Sequence, residues 1–324
     1  MKIDKWYVID FLIALAFAIF IQMLPLEYSE DYEGYIDYVM YADEKLEYFS
    51  DSPSELVANE PIWLVGNSLL YAVVDDPDVA VRAVIFLVSL GLGFAVVSID
   101  RRNVLLLVIF LFLPQMFHNF TTHVRQGMAM AVLYLAYFML GRRIGAPFIL
   151  ATPLIHSSMF FIAPLVYVID AVRALRLNTI QSVFFLFGLF LVLAMATGLI
   201  AGYLGARQAN TYEFGSVAGS GLGLLFWLGV GYLVFREGKR FYWKHIVGVS
   251  VLFMYYATYL FVEASGRILE AGLPFVFALI IDFTGWRRLV FWGVFAVYFV
   301  LSWYMKVISD EFFHGVFTGD FWIP

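Results

Sequence analysis

The chain has no cysteine among its 324 residues, which excludes disulfides and thiolate metal sites. It has little charge: Asp, Glu, Lys and Arg make up 14% of it, against about 25% in a soluble domain. Bases are scarcer than acids, 20 against 26. It shows no internal repeat, no low-complexity tract and no stretch that reads as a soluble domain. What remains is apolar, with 62% hydrophobic residues and a mean hydropathy of +0.83. This composition implies a polytopic, all-α membrane protein. Aromatics at 19% suit belts at the two membrane faces and carry no functional weight by themselves.

The few bases give the topology. Lys2 and Lys5 put the N-terminus inside, ahead of a first span from Trp6 to Leu26. That run is near the roughly 20 residues a bilayer requires. It lacks a small-residue cleavage site, so it is expected to be retained. Residues 27–60 form an outer loop with eleven acids and one base, Lys45. Tyr28, Tyr32, Tyr35 and Tyr38 recur there at helical spacing, which predicts an amphipathic helix on the membrane surface. Residues 61–74 are apolar but short and are expected to return to the same side. A full span from Val79 to Ile99 leads to Arg101 and Arg102 inside. Val104 to Phe120 is expected to go out and Val124 to Leu140 to come back. Residues 144–172 contain Pro147, Pro153 and Pro164 around His156, and are read as a broken helical hairpin. That choice keeps Arg173 and Arg176, Arg236 to Arg240, and Arg287 and Arg288 all inside. The expected architecture is one transmembrane domain over 1–324, with about 11 segments and the hairpin counted as two.

This topology leaves Arg125, His156 and Arg267 at the outer ends of their helices, with Asp31 and Glu60 on the same side. A buried-edge arginine cannot lose its proton, so it needs an anion or water. Arg125, flanked by His123 and Gln126, opens a helix whose free N–H groups also suit an anion. The plain alternative is an arginine snorkelling to lipid phosphate. His156 is a candidate general base, or a histidine satisfied by backbone carbonyls in a broken helix. Arg267 has Glu263 at i−4 and Glu270 at i+3, an arrangement that also fits a structural ion pair. Asp31 and Glu60 are further candidate bases, Glu60 by its place in Asn59-Glu60-Pro61. His118 and His123, five apart, do not share a helical face, and no metal site is expected.

Taken in order, several motifs resemble a family. They are Asp31-Tyr32-Glu33-Gly34-Tyr35, Glu60-Pro61, Arg125-Gln126 opening a helix, His156-Ser157-Ser158 after a proline-broken run, and a late Arg267. This ordered set resembles the EpsG-like branch of bacterial polysaccharide polymerases, related in role to the Wzy O-antigen and capsule polymerases. Ile268-Leu269-Glu270 departs from the aromatic usual after the late arginine. The resemblance implies a GT-C-like glycosyltransferase of the bacterial cytoplasmic membrane, active on its outer face, without a metal or other cofactor. Its substrates would be undecaprenyl-diphosphate-linked glycans, one as donor and one as acceptor. Arg125 and Arg267 would contact the diphosphate, with His123, Gln126 and Glu270 beside them. His156, Glu60 or Asp31 would take the acceptor proton, and apolar grooves would hold the lipid tail. No nucleic acid is implied, and the sequence leaves open whether a chain-length regulator binds. A lipid-linked glycan transporter and a membrane O-acyltransferase are the alternatives. A transporter should show two related halves, which the chain lacks.

Overall fold

A computed structural model of the chain describes residues 5–203, 221–259, 261–262 and 265–320. All regular structure among these is helical. Ten helices precede His156: α1 (Lys5–Gln22), α2 (Tyr32–Met40), α3 (Ala42–Ser50), α4 (Pro53–Ala58), α5 (Pro61–Val74), α6 (Pro77–Val97), α7 (Val104–Leu111), α8 (Pro114–Thr121), α9 (Val124–Leu135) and α10 (Gly141–Ala151). Eight follow: α11 (Met159–Ala174), α12 (Thr179–Tyr203), α13 (Leu222–Glu237), α14 (Lys239–Lys244), α15 (Ile246–Tyr259), α16 (Ser265–Ile280), α17 (Gly285–Ser309) and α18 (Glu311–Thr318). The chain divides into two compact units, residues 1–157 with 299–324, and residues 158–298.

Three described helices are long and apolar enough to cross a bilayer: Pro77–Val97, the stretch Thr179–Ala196, and Gly285–Ser309. Shorter apolar helices include Trp6–Gln22, Pro61–Val74, Val124–Leu140 and Ile246–Tyr259.

The first unit is built around α6. It packs on α1, α9 and α2, and Gly93 of α6 sits against Ala14 and Phe17 of α1. The structure corrects one expected span. Val104 to Phe120 is not a straight helix, because Arg101–Leu111 and Pro114–Thr121 bend by 73° at their junction. Pro114 lacks an N–H and disfavours helical backbone at Leu113, whose ψ is 129°. The carbonyl of Phe112 exposed at this bend accepts a hydrogen bond from Trp303 Nε1 at 2.8 Å. A second correction concerns the loop helix. The tyrosine periodicity does mark a helix, α2, but its buried face, Tyr32, Tyr35 and Val39, is turned toward α5 and α6 of the protein. The helical run breaks between Thr152 and Ser158, around His156, at Pro153, while Pro147 and Pro164 are accommodated inside α10 and α11.

In the second unit α15 and α16 pack most closely. A Cβ at Gly248 would lie 2.5 Å from the Phe275 carbonyl, and one at Gly272 would lie 2.3 Å from Val251 Cγ1. Glycine is what lets these helices approach.

Candidate functional site

The site in the first unit starts from a strained residue. Glu60 caps α5 with φ 62° and ψ 53°, the left-handed region. A non-glycine residue held there costs about 1–3 kcal/mol and persists only where its surroundings impose it. Pro61, at the first helical position, adds to the constraint by disfavouring right-handed helix at the preceding residue. Glu60 is only 4% exposed.

Three groups converge on the Glu60 carboxylate. Arg125 Nη1 donates to Glu60 Oε2 at 2.7 Å. The Ser157 N–H donates to Glu60 Oε1 at 3.2 Å. His156 Nε2 stands 3.8 Å from Glu60 Oε1. Each partner arrives by a different element. Arg125 stands on the first turn of α9. His156 and Ser157 sit just beyond the turn Thr152–Leu154, which packs on α5 and α9. The ends of α8 and α9 are locked together at Gly127, where a Cβ would lie 2.0 Å from the Asn119 carbonyl oxygen.

The loop helices close over this cluster. Tyr35 is buried, donates to the Thr122 carbonyl at 2.5 Å and accepts from the Val124 N–H at 2.9 Å. It thereby ties α2 to the turn that precedes Arg125. Burial pushes the Tyr35 hydroxyl well above its ordinary range, so it stays protonated. Tyr38 OH accepts from Arg125 Nη1 at 3.4 Å, and the guanidinium carbon lies 5.0 Å from the Tyr38 ring centre. Lys45 Nζ lies 4.4 Å from the centre of the same ring and donates to the Asp37 carbonyl at 3.0 Å. The sole base among eleven acids therefore stands at this site, within ~10 Å of Arg125, about one Debye length. Among the described residues no carboxylate comes within ion-pair reach of it. Burial lowers its pKa, and the nearby Arg125 charge pushes the same way, while Asp37 and Glu44 oppose. Both hydrogen bonds of Arg125 leave from Nη1, so Nη2 and Nε have no partner among the described residues.

The structure thus brings Glu60, Arg125 and His156 together. Asp31 stands at the start of α2, where its charge acts on Arg125 and Tyr35. Gln126 is buried in the first turn of α9, 1% exposed. His123 caps α9 and meets the His118 ring edge-on at 5.3 Å. His118 stacks on Phe313 and lies 4.0 Å from Asp310, so this pair faces the C-terminal helix. Arg267 and Glu270 lie on the first two turns of α16 in the other unit, Arg267 exposed. Glu263, expected beside Arg267, lies outside the described residues. Among the described residues no three histidine or acidic side chains gather as a metal would need. Sequence reasoning missed Tyr35, Tyr38, Lys45 and Ser157. The tyrosine spacing and the isolation of Lys45 were the available signals.

Helices of this apolarity in both units, with a buried Glu–Arg–His cluster in the first, mark a multi-pass, all-helical membrane protein. No curated protein and no solved structure matches it. The chain belongs to the EpsG family, whose sequence profile matches residues 8–321.

Proposed function

We propose that the protein is a polysaccharide polymerase, a GT-C-like glycosyltransferase on the outer face of the bacterial cytoplasmic membrane. It joins oligosaccharide repeat units carried on polyprenyl diphosphate. Membership of the EpsG family supports the polymerase reading. The observation that carries the chemistry is the Arg125–Glu60–His156 cluster.

The acceptor hydroxyl oxygen attacks the anomeric carbon of the donor sugar. The bond from that carbon to the diphosphate oxygen breaks, and its electron pair leaves on the diphosphate. Arg125, fixed by Glu60 through Nη1, presents Nη2 and Nε to the charge that develops there. Lys45, against the same Tyr38 ring, adds a second cation. For Arg267, on α16 of the second unit, a role in substrate binding rests on the family resemblance alone. Glu60 has both oxygens already engaged, Oε2 by Arg125 and Oε1 by the Ser157 N–H. Its role is to hold Arg125 and orient His156. His156 takes the proton of the acceptor hydroxyl. Asp31, outside the hydrogen-bonded cluster, shapes the field around Arg125.

The test is polymer length in a cognate strain lacking its own copy. Arg125→Ala, His156→Ala and Arg267→Ala should insert at normal levels and yield single repeat units at the surface. Long polymer from all three would refute the site. Loss of even single repeats from the surface would favour a transporter.

A further inference from the structure

We propose that the groove between α5, α6 and α9 binds the hydrocarbon chain of a polyprenyl diphosphate, with its head group at Arg125. This rests on the polymerase reading and says where that substrate lies. The groove has a volume of about 330 Å³, within the ~300–1,000 Å³ range of ligand sites. Leu70, Val84, Val88, Met128 and Val132 make its walls aliphatic. Leu87 in its lining is 60% exposed, so the groove opens sideways, where a chain lying in a bilayer would enter.

The groove adjoins the polar site. Trp63 and Asn67, four apart on α5, line both the groove and a small gap, too narrow for a water, that Tyr35 and Val124 also border. The Trp63 ring meets Tyr35 and Tyr38 edge-on at 5.9 and 6.5 Å. Tyr38 in turn touches Arg125. Cation, aromatic collar and aliphatic groove follow one another in the order of an amphiphile with an anionic head.

Two further features name the occupant. Trp63 Nε1 and Asn67 Oδ1 are buried and have no hydrogen-bond partner among the described residues. A bare hydrocarbon satisfies neither, so they mark the junction of chain and head. There the indole N–H can donate to a phosphoryl oxygen and the amide oxygen can accept from a water. The head site offers two cations, Arg125 and Lys45. Two cations match the charge of a diphosphate better than that of the single phosphate of a phospholipid.

Gly66 provides the test. It lines the groove, and a Cβ there would meet nothing within 4 Å. A large side chain at this position would fill the groove without displacing a neighbour. Purified protein in phospholipid nanodiscs would be incubated with geranylgeranyl diphosphate carrying a photoreactive chain terminus. Cross-links should map to α5, α6 and α9, and unlabelled geranylgeranyl diphosphate in excess should abolish them. Gly66→Phe should weaken binding of this probe at least tenfold and leave binding of inorganic diphosphate unchanged. Gly66→Ala should bind both as wild type and report that the position tolerates substitution. Cross-links elsewhere, or full affinity in Gly66→Phe, would overturn the groove and leave the polymerase reading standing. Labelling competed only by added phospholipid would identify an ordinary lipid site and overturn the proposal. Failure of wild type to bind either inorganic or prenyl diphosphate would sink the head-group site and this inference with it.

Discussion

Glu60 holds a left-handed backbone, a buried carboxylate and three neighbours at once. It balances the charge of Arg125. Removing one partner of a buried ion pair costs about 3–5 kcal/mol, because the remaining charge is stranded. Glu60→Gln keeps the shape and loses the charge. It is expected to lower thermal stability in detergent and to cut polymer yield by about 10²-fold, in line with the loss of one oriented group facing developing charge. Double replacement Glu60→Gln with Arg125→Gln should recover stability relative to either single variant while staying inactive. A thermal melt of the three proteins decides this.

Lys45 gives a second prediction at this scale. Its pKa lies below the ordinary lysine value of 10.5. Only the ammonium form attracts diphosphate, so this contribution is complete at low pH and is lost as pH rises through the lowered pKa. Inorganic diphosphate should therefore bind more weakly as pH rises, starting below the range of a free lysine. In Lys45→Gln this pH dependence should disappear and affinity at neutral pH should fall several-fold. Lys45→Arg should retain affinity and lose the fall. Titration calorimetry across pH reads all three.

At the scale of elements, the positions of α8 and α9 decide where Arg125 sits. They meet at Gly127, where even a methyl group would collide with the Asn119 carbonyl and with Val88. Overpacking of this kind costs about 1–3 kcal/mol. Gly127→Ala is expected to lower the melting temperature and to displace Arg125, reducing polymer length despite normal membrane insertion. Gly34, exposed and with nothing near its Cβ, is the matched control and should tolerate alanine. The bend between α7 and α8 is set by Pro114 and satisfied by Trp303, whose ring also meets Phe313 at 5.5 Å. Part of the aromatic content expected to form belts is here a clamp between the α7–α8 bend and the C-terminal helices.

The whole molecule turns the lack of cysteine into a tool. Every introduced cysteine is the only one in the chain. With the acidic loop outside, Tyr48→Cys, at a position 73% exposed, should react with an impermeant maleimide in intact cells. Leu289→Cys, at a position 76% exposed beside Arg287 and Arg288, should react only after permeabilisation. The reverse pattern would invert the orientation and with it the outward-facing site.

Much of this could be read in the chain itself. Scarce charge and long apolar runs require helices in lipid, because only internally bonded backbone survives there. Pro153 announced the break before His156, whereas Pro147 and Pro164 lie inside α10 and α11, and Glu60 and Arg125 stood out as charges at the entry of apolar helices. Pro114 announced the bend just as plainly, yet apolar continuity from Val104 to Phe120 concealed it, since hydropathy does not register backbone angle. The tyrosine spacing gave a helix but not its partner, because periodicity reports a face and not what the face meets. The joining of Glu60 to Arg125 and His156, 65 and 96 positions on, was decided only by tertiary structure. Hydrogen-bond partners depend on distance in space, and the fold alone sets that distance. Lys45 shows both sides: its isolation among acids is written in the sequence, but its place over Tyr38 beside Arg125 comes from the packing of α2 and α3 onto α5.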